Sequence, residues 1–472
     1  MIQEIRLMPR TAESYPFASA EGKLGFGEHG YKEEEYFFRG TSDVYEETGR
    51  HEKKVIHAEN PYANRLLVRR PEDMENFSGD IVVEILNATA GFDLDRMWVL
   101  CGKELMRSGA VYVGITSKPD MLDALRLFDP ERYEELTWEV SYEIEQQYEP
   151  ENILLKLKHL ECETGLFWDM LRDAAAELKE GSRLLKTEKK RYLYLFGWSQ
   201  SANYISTYIR YFHDQDKIFD GYLSAGGVHH FVTPLHQGEV GKPMDVSLTK
   251  IERMPVPYIA VQTETENADF GGYECRQENS DAEDMKYRIY ELAGATHDTK
   301  FSLLDYYEND EKMRKIGLIP RYGGEGILPN DYPYQYLMYG ICRYLFHWVK
   351  NGILPPRAER IHLDEQKKNR RDEYGNVIGG VRLPLLDHPL CTYCPTSVVR
   401  MEDGTEAVNP VFGHEEVFPE EQLVKMYGSL GYYREKITEK LQKLVGDGYL
   451  LNEDQEELIH YAVRKAEEAG LR

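Results

Sequence analysis

Cysteine is scarce in this sequence. There are six in 472 residues, at positions 101, 162, 275, 342, 391 and 394. A chain of this length held by disulfides would carry more of them in an ordered spacing, so a disulfide framework is excluded. Cys391-Thr-Tyr-Cys394 is a C-x-x-C, but neither a second pair nor an ordered histidine set accompanies it, and the strand-to-helix setting of a redox motif is missing. These are read as structural cysteines, and neither a metal nor an organic cofactor is expected. Long apolar runs are also absent, and nothing approaches a membrane span. The opening MIQEIRLMPRTAESYPF lacks the apolar core of a signal peptide, so a cytoplasmic location is expected, a trimmed leader aside. Positive charge is in deficit, with 57 Lys and Arg against 82 Asp and Glu, a formal net charge of -25. That balance argues against nucleic acid and anionic membranes as partners, since both need basic patches. With no internal repeat or low-complexity linker, residues 1–472 read as a single domain.

What is present is a large core: 42% of residues are hydrophobic and 12% aromatic. Short β-prone runs recur along the chain. YKEEEYFFRGTSDVY (31–45) reads as a strand broken at Gly40, and RLLVRR (65–70) as another closed by Pro71. DIVVEILN (80–87), AVYVGIT (110–116), 192–196, FDGYLSA (219–225), PYIAVQ (257–262) and YRIYEL (287–292) follow, separated by helical lengths. This succession implies an α/β fold on a mostly parallel sheet with helices on both faces. A β-rich N-terminal extension (1–78), a long, charged, mostly helical insertion (120–190) and a C-terminal extension (353–472) complete the organisation. The extension is β and turn to about residue 400 and amphipathic helix from 418; a helix over 334–350 stops at Asn351-Gly352.

The stretch RYLYLFGWSQSANYISTYIR (191–210) organises the rest. An aromatic and aliphatic run turns through Gly197-Trp-Ser-Gln-Ser201, after which Ala202, Ile205, Ile209 and Phe212 recur at helical spacing. Strand, G-x-S-x-small, helix is the layout of a nucleophile elbow. Small residues are needed two positions either side of the serine, and Gly197 and Ser201 supply them. The helix behind Ser199 points free N–H groups at any negative charge formed beside it.

A serine nucleophile needs a base, and the base needs an acid to orient it. Thr263-Glu-Thr-Glu266 follows a later strand, and His297 follows the next one in a glycine-containing loop. Ser199, Glu266 and His297 therefore fall in the order Ser, acid, His, each at a strand end. Glu264 is the rival acid, with Asp298 and Asp281 in reserve. The oxyanion hole is assigned to the backbone N–H groups of Gln200 and Ala88. Asn87, Trp198, His229 and His230 are taken as substrate-pocket residues; adjacent histidines point to different sides and make a poor metal pair.

The chain resembles the bacterial alpha/beta hydrolase domain family in several segments along its length: EEEYFFRGTSDVY (33–45), RLLVRRPEDMENFSGDIVVEILNATAG (65–91), AVYVGITSKP (110–119), GWSQSANYISTYI (197–209), VQTETE (261–266), YELAGATHD (290–298) and GGVRLPLLDHPLCTY (379–393). The resemblance implies an α/β-hydrolase fold with Ser199 as nucleophile, Glu266 in the acid position and His297 as base. Two departures stand out, since the family usually has glycine where Ala202 stands and aspartate where Glu266 stands. Arg382 and Asp387, in the last of these segments, either orient substrate or pair with each other structurally, and the structural pairing is the expectation.

The function expected is hydrolysis of a small or medium carboxylic ester through an acyl-Ser199 intermediate, by a monomer or a homo-oligomer. An acyltransferase or amidase using the same acyl-serine is the alternative, and a non-catalytic binding protein on this scaffold comes last. Residues 120–190, 226–250 and 305–335 are each long enough to cover the site, and 120–190 is expected to supply most of the roof.

Overall fold

An antiparallel hairpin dominates the N-terminal part, built from β2 (Tyr31–Gly49) and β3 (Glu52–Pro71), with β1 (Ile2–Met8) antiparallel along the outer edge of β2. In the computed structural model the described residues are 1–472 apart from 149–157, 228–232, 243–249, 269, 309, 319–326 and 401–403, with backbone alone at 268, 275 and 400. Strand β2 does not break at Gly40, as the sequence suggests, but runs through it. Gly40 pairs with Tyr62 on one side and Ile2 on the other, and a Cβ there would overlap the Met1 carbonyl. The glycine serves close approach of a neighbouring strand, not termination.

The chain forms two compact units, 1–258 with 307–319, and 259–306 with 320–472. In the first, β4 (Asp80–Ile85), β5 (Val111–Ile115), β6 (Tyr192–Trp198) and β7 (Gly221–Ala225) are parallel in the order β5-β4-β6-β7. Strand β3 joins β5 antiparallel, so the hairpin extends this sheet. Every residue of β4 is buried, as in a central strand covered on both faces. Helices α1 (Arg96–Ser108), α3 (Phe167–Glu180) and α4 (Gln200–Tyr208) pack on the sheet, α1 against β5 and β6, α4 against β6 and β7. Helix α2 (Met121–Phe128) opens the 120–190 segment.

That segment is less helical than its sequence suggests. Between Asp129 and Glu163 the described residues hold no helix. Thr137 instead exchanges both backbone hydrogen bonds with Ala63 of β3, at 2.9 and 3.0 Å, and Glu139 bridges to Cys162. Pairing to a strand edge overrides helix propensity here.

The second unit begins within β8 (Met254–Thr263), which runs straight into α5 (Glu264–Ala268). Strand β10 (Met285–Leu292) lies beside β8, with β9 (Ser280–Ala282) antiparallel on its other side. Helix α6 (Gln335–Asn351) stops at Gly352, whose φ of 68° is the left-handed cap its sequence announced. Two small antiparallel ribbons follow, β11 (Cys391–Cys394) with β14 (His414–Val417) and β12 (Ser397–Arg400) with β13 (Glu406–Asn409). Three helices end the chain, α7 (Glu420–Tyr427), α8 (Leu430–Gly446) and α9 (Gln455–Glu468), with α8 packed on α9. Arg382 and Asp387 pair at 3.1 Å, as expected.

Candidate active site

Ser199 sits between the end of β6 and the first residue of α4 with φ 58° and ψ -118°. A non-glycine residue held there stores on the order of 1–3 kcal/mol of strain, which the surroundings must offset. They do so with backbone bonds. The Ser199 N–H donates to the Ala225 carbonyl of β7 at 2.8 Å, and the Trp198 carbonyl accepts from the Asn87 side-chain amide at 2.9 Å. Strand and helix pass so closely that a Cβ on Gly197 would lie 2.7 Å from the Ser201 carbonyl atoms. The small-residue requirement read from the sequence is thus a contact distance. At the opening of α4, the Gln200 N–H has no carbonyl one turn earlier to bond.

The second expected oxyanion donor lies on the loop after β4. Asn87 and Leu94 exchange backbone hydrogen bonds at 2.9 Å in each direction, closing residues 88–93 into a tight turn. The Ala88 N–H makes no hydrogen bond among the described residues, so this donor stays available. The turn is anchored from below by a buried ionic network. Arg65 of β3 reaches Asp93 at 2.7 Å and Glu35 at 2.5 Å, and Arg69 reaches Asp95 at 2.5 Å and Glu33 at 2.9 Å. Burial works against the Arg65 charge, but Asp93 and Glu35 outweigh it and hold its pKa above the usual value. Tyr307 donates to Asp95 at 2.6 Å from the other side. Glu84, beneath the same turn, accepts from the N–H groups of Met97 and Trp98 at the start of α1 and from the Tyr112 hydroxyl. Burial, with the Asp95 charge adding to it, pushes its carboxyl up to about 8.

The second unit carries an acid–histidine pair. Glu266 in α5 is fully buried, and its Oε1 lies 2.6 Å from Nδ1 of His297, itself 6% exposed. Its other oxygen accepts from the Thr263 N–H at 2.5 Å, which fixes the carboxylate. The His297 N–H donates to Thr265 Oγ1 at 3.2 Å, and the Phe270 ring stands edge-on to the imidazole. A carboxylate on Nδ1 sets the tautomer that leaves Nε2 as the proton acceptor. Glu264 is placed differently, its side chain ion-paired to Arg371 at 2.6 Å. Asp281, on β9, pairs with Arg288 and Arg357, while Asp298 joins Phe412 through a backbone bridge.

Two of the expected pocket residues, Asn87 and Trp198, are buried. Asn87 is buried, with its amide on the elbow and its Oδ1 on the Thr89 N–H at 2.9 Å, so it positions the elbow instead. Trp198 is buried under Gly226, where any Cβ would strike its ring, with the Arg96 guanidinium 5.3 Å from its ring centre. Its ring wedges the elbow against the core. His229 and His230 lie outside the described residues, as do parts of all three stretches proposed to cover the site. Sequence reasoning missed Glu84, Arg65, Arg69, Asp93 and Asp95, whose signal was charge inside otherwise apolar runs. Cys391 and Cys394 are free thiols, and among the described residues Cys394, His414 and Glu416 are the one group of such ligands that could share an ion.

A family model described as "Alpha/beta hydrolase domain" matches residues 5–460. No curated protein matches the chain significantly. Among solved structures it is similar to an alpha-beta serine hydrolase homologue from Coxiella burnetii, at 11% identity over 55% of this chain and 90% of that one, TM-score 0.28. It is also similar to a carboxylesterase from Lactobacillus plantarum, at 10% identity over 48% and 72%, TM-score 0.27. A third likeness is to a siderophore hydrolase from Aspergillus nidulans, at 13% identity over 46% and 69%, TM-score 0.27.

Proposed function

Because the chain belongs to the alpha/beta hydrolase domain family, we propose that it is a serine hydrolase that cleaves a carboxylic ester of a small or medium-sized molecule. The observation that carries the reading is the Ser199 backbone, held at φ 58° between a parallel strand and a helix. That conformation stands the hydroxyl clear of the chain above the helix N-terminus. The Glu266–His297 pair supplies the oriented base that such a serine needs.

In the proposed reaction, Ser199 Oγ attacks the ester carbonyl carbon while His297 Nε2 takes its proton. The tetrahedral oxyanion is met by the N–H groups of Gln200 and Ala88. The carbon–oxygen bond to the alcohol breaks as His297 returns the proton to the leaving oxygen, leaving an acyl-serine. Water, deprotonated by His297, then attacks the acyl carbon, the bond from that carbon to Ser199 Oγ breaks as His297 returns the proton to Oγ, and the carboxylic acid and free serine are released. Glu266, 2.6 Å from His297 Nδ1, stabilises each imidazolium. No metal takes part in these steps, and the -25 net charge disfavours a polyanionic substrate.

Hydrolysis of p-nitrophenyl esters of graded acyl length tests the reading. It requires turnover of at least the short members, abolished in Ser199→Ala. Binding without turnover across the series would place the chain among non-catalytic binding proteins.

A further inference from the structure

The β11/β14 ribbon carries a side-chain cluster that takes no part in the proposed reaction. Cys394 pairs directly with His414, and Thr392 with Glu416. Since side chains alternate along a strand, Cys394, His414 and Glu416 share one face of the ribbon, while Glu415 turns to the other and meets Lys465 at 2.7 Å. The Cys394 sulfur, a His414 ring nitrogen and a Glu416 oxygen all lie within 4.8 Å of one another.

The histidine is oriented as a ligand. Its Nδ1 lies 2.7 Å from the Thr396 carbonyl, which can only accept, so Nδ1 carries the proton. The Nε2 lone pair then points at Glu416 Oε1, 3.4 Å away. Two acceptors facing each other at that distance call for a cation between them, a proton or a metal. A backbone carbonyl on the far nitrogen is the usual support of a metal-bound imidazole. The donor set of thiolate, imidazole and carboxylate is that of zinc and similar borderline cations, with water in a fourth position.

We propose that Cys394, His414 and Glu416 form a binding site for a zinc-class divalent cation. The ion displaces the thiol proton to solvent and bonds to the resulting thiolate, to His414 Nε2 and to Glu416 Oε1. The site would brace the loop that carries His297. Gly413, beside His414, is pressed against both the Cys394 carbonyl and the Thr296 side chain, with no room for a Cβ. Asp298 donates its N–H to the Val411 carbonyl at 2.8 Å, and Thr265, which supports the His297 N–H, donates to the Pro395 carbonyl at 3.3 Å.

Chelator-treated protein titrated with Co²⁺ and, separately, with Zn²⁺ tests this. One equivalent of each should bind, and cobalt should give a thiolate charge-transfer band in the near ultraviolet. Cys394→Ser should abolish the band, and Cys394→Ser and His414→Ala should each weaken zinc binding by about 10-fold or more. Glu416 is 66% exposed, so Glu416→Gln folds and should weaken binding about as far. His297→Ala should bind as wild type does. Zinc should also slow amide exchange at residues 294–298. No stoichiometric binding, or a band that survives Cys394→Ser, would overturn the site and leave His414 and Glu416 as an ion pair. Binding with unchanged exchange at 294–298 would overturn the bracing.

Discussion

Arg65 and Asp93 meet at 2.7 Å with both side chains 1% exposed, tying the third strand to the turn that presents the Ala88 N–H. Burying two charges is tolerable only while each keeps its partner. Asp93→Asn should lower stability by about 3–5 kcal/mol in urea unfolding. At temperatures where the variant is still folded, its kcat for an ester should fall with KM little changed, because the turn would lose its anchor. An unaltered kcat would detach the network from the oxyanion donor.

Glu84 gives the fold a pH dependence of known sign. Its carboxyl is raised to about 8 in the folded chain by burial and the Asp95 charge. In the unfolded chain it ionises near 4.3. Between those values the folded state holds a proton that the unfolded state has lost, so this group's stabilising contribution is full below about pH 4 and fades as pH rises towards 8. Glu84→Gln should flatten the fall in melting temperature across that window. An identical slope in the variant would assign the dependence to other groups.

The two glutamates after the eighth strand should separate cleanly. Glu266→Gln should cut kcat by about 10³–10⁴-fold, as losing the orienting acid does elsewhere. Glu264→Gln breaks an ion pair to Arg371 and should leave kcat near wild type while lowering melting temperature. The opposite ranking would make Glu264 the acid.

The Ala202 methyl group determines what position 227 tolerates. A Cβ on Gly227 would lie 2.5 Å from the Ala202 Cβ, with the next contact 3.6 Å away at the Ser199 carbonyl. Gly227→Ala should therefore cost about 1–3 kcal/mol by overpacking the elbow. Adding Ala202→Gly should recover most of that loss and most of the lost turnover. Without such recovery, the damage at 227 has another origin.

The sequence was most legible where the pattern is local. Gly197, Ser199 and Ser201 announced the strand–turn–helix because its parts are contiguous in the chain, and the contact between Glu266 and His297 joins two residues that follow strand ends. It was less legible where a residue's partner lies far away in sequence. Nothing near Asn87 shows that its amide will hold the Trp198 carbonyl, 111 positions on. Arg65 and Arg69 look like surface charge until the first strands fold over them. Gly40 reads as a breaker because the strand that requires its bare Cα is formed by the chain terminus. The 129–163 stretch has helix-forming glutamates, yet Thr137 bonds to an edge that only the folded hairpin offers.

The central claim, an activated serine served by His297, is tested most directly by intact-protein mass spectrometry after treatment with a fluorophosphonate. The account predicts one adduct on the wild-type chain, absent from Ser199→Ala and reduced to background in His297→Ala. A wild-type chain that stays unlabelled, or an adduct that persists in Ser199→Ala, would contradict it.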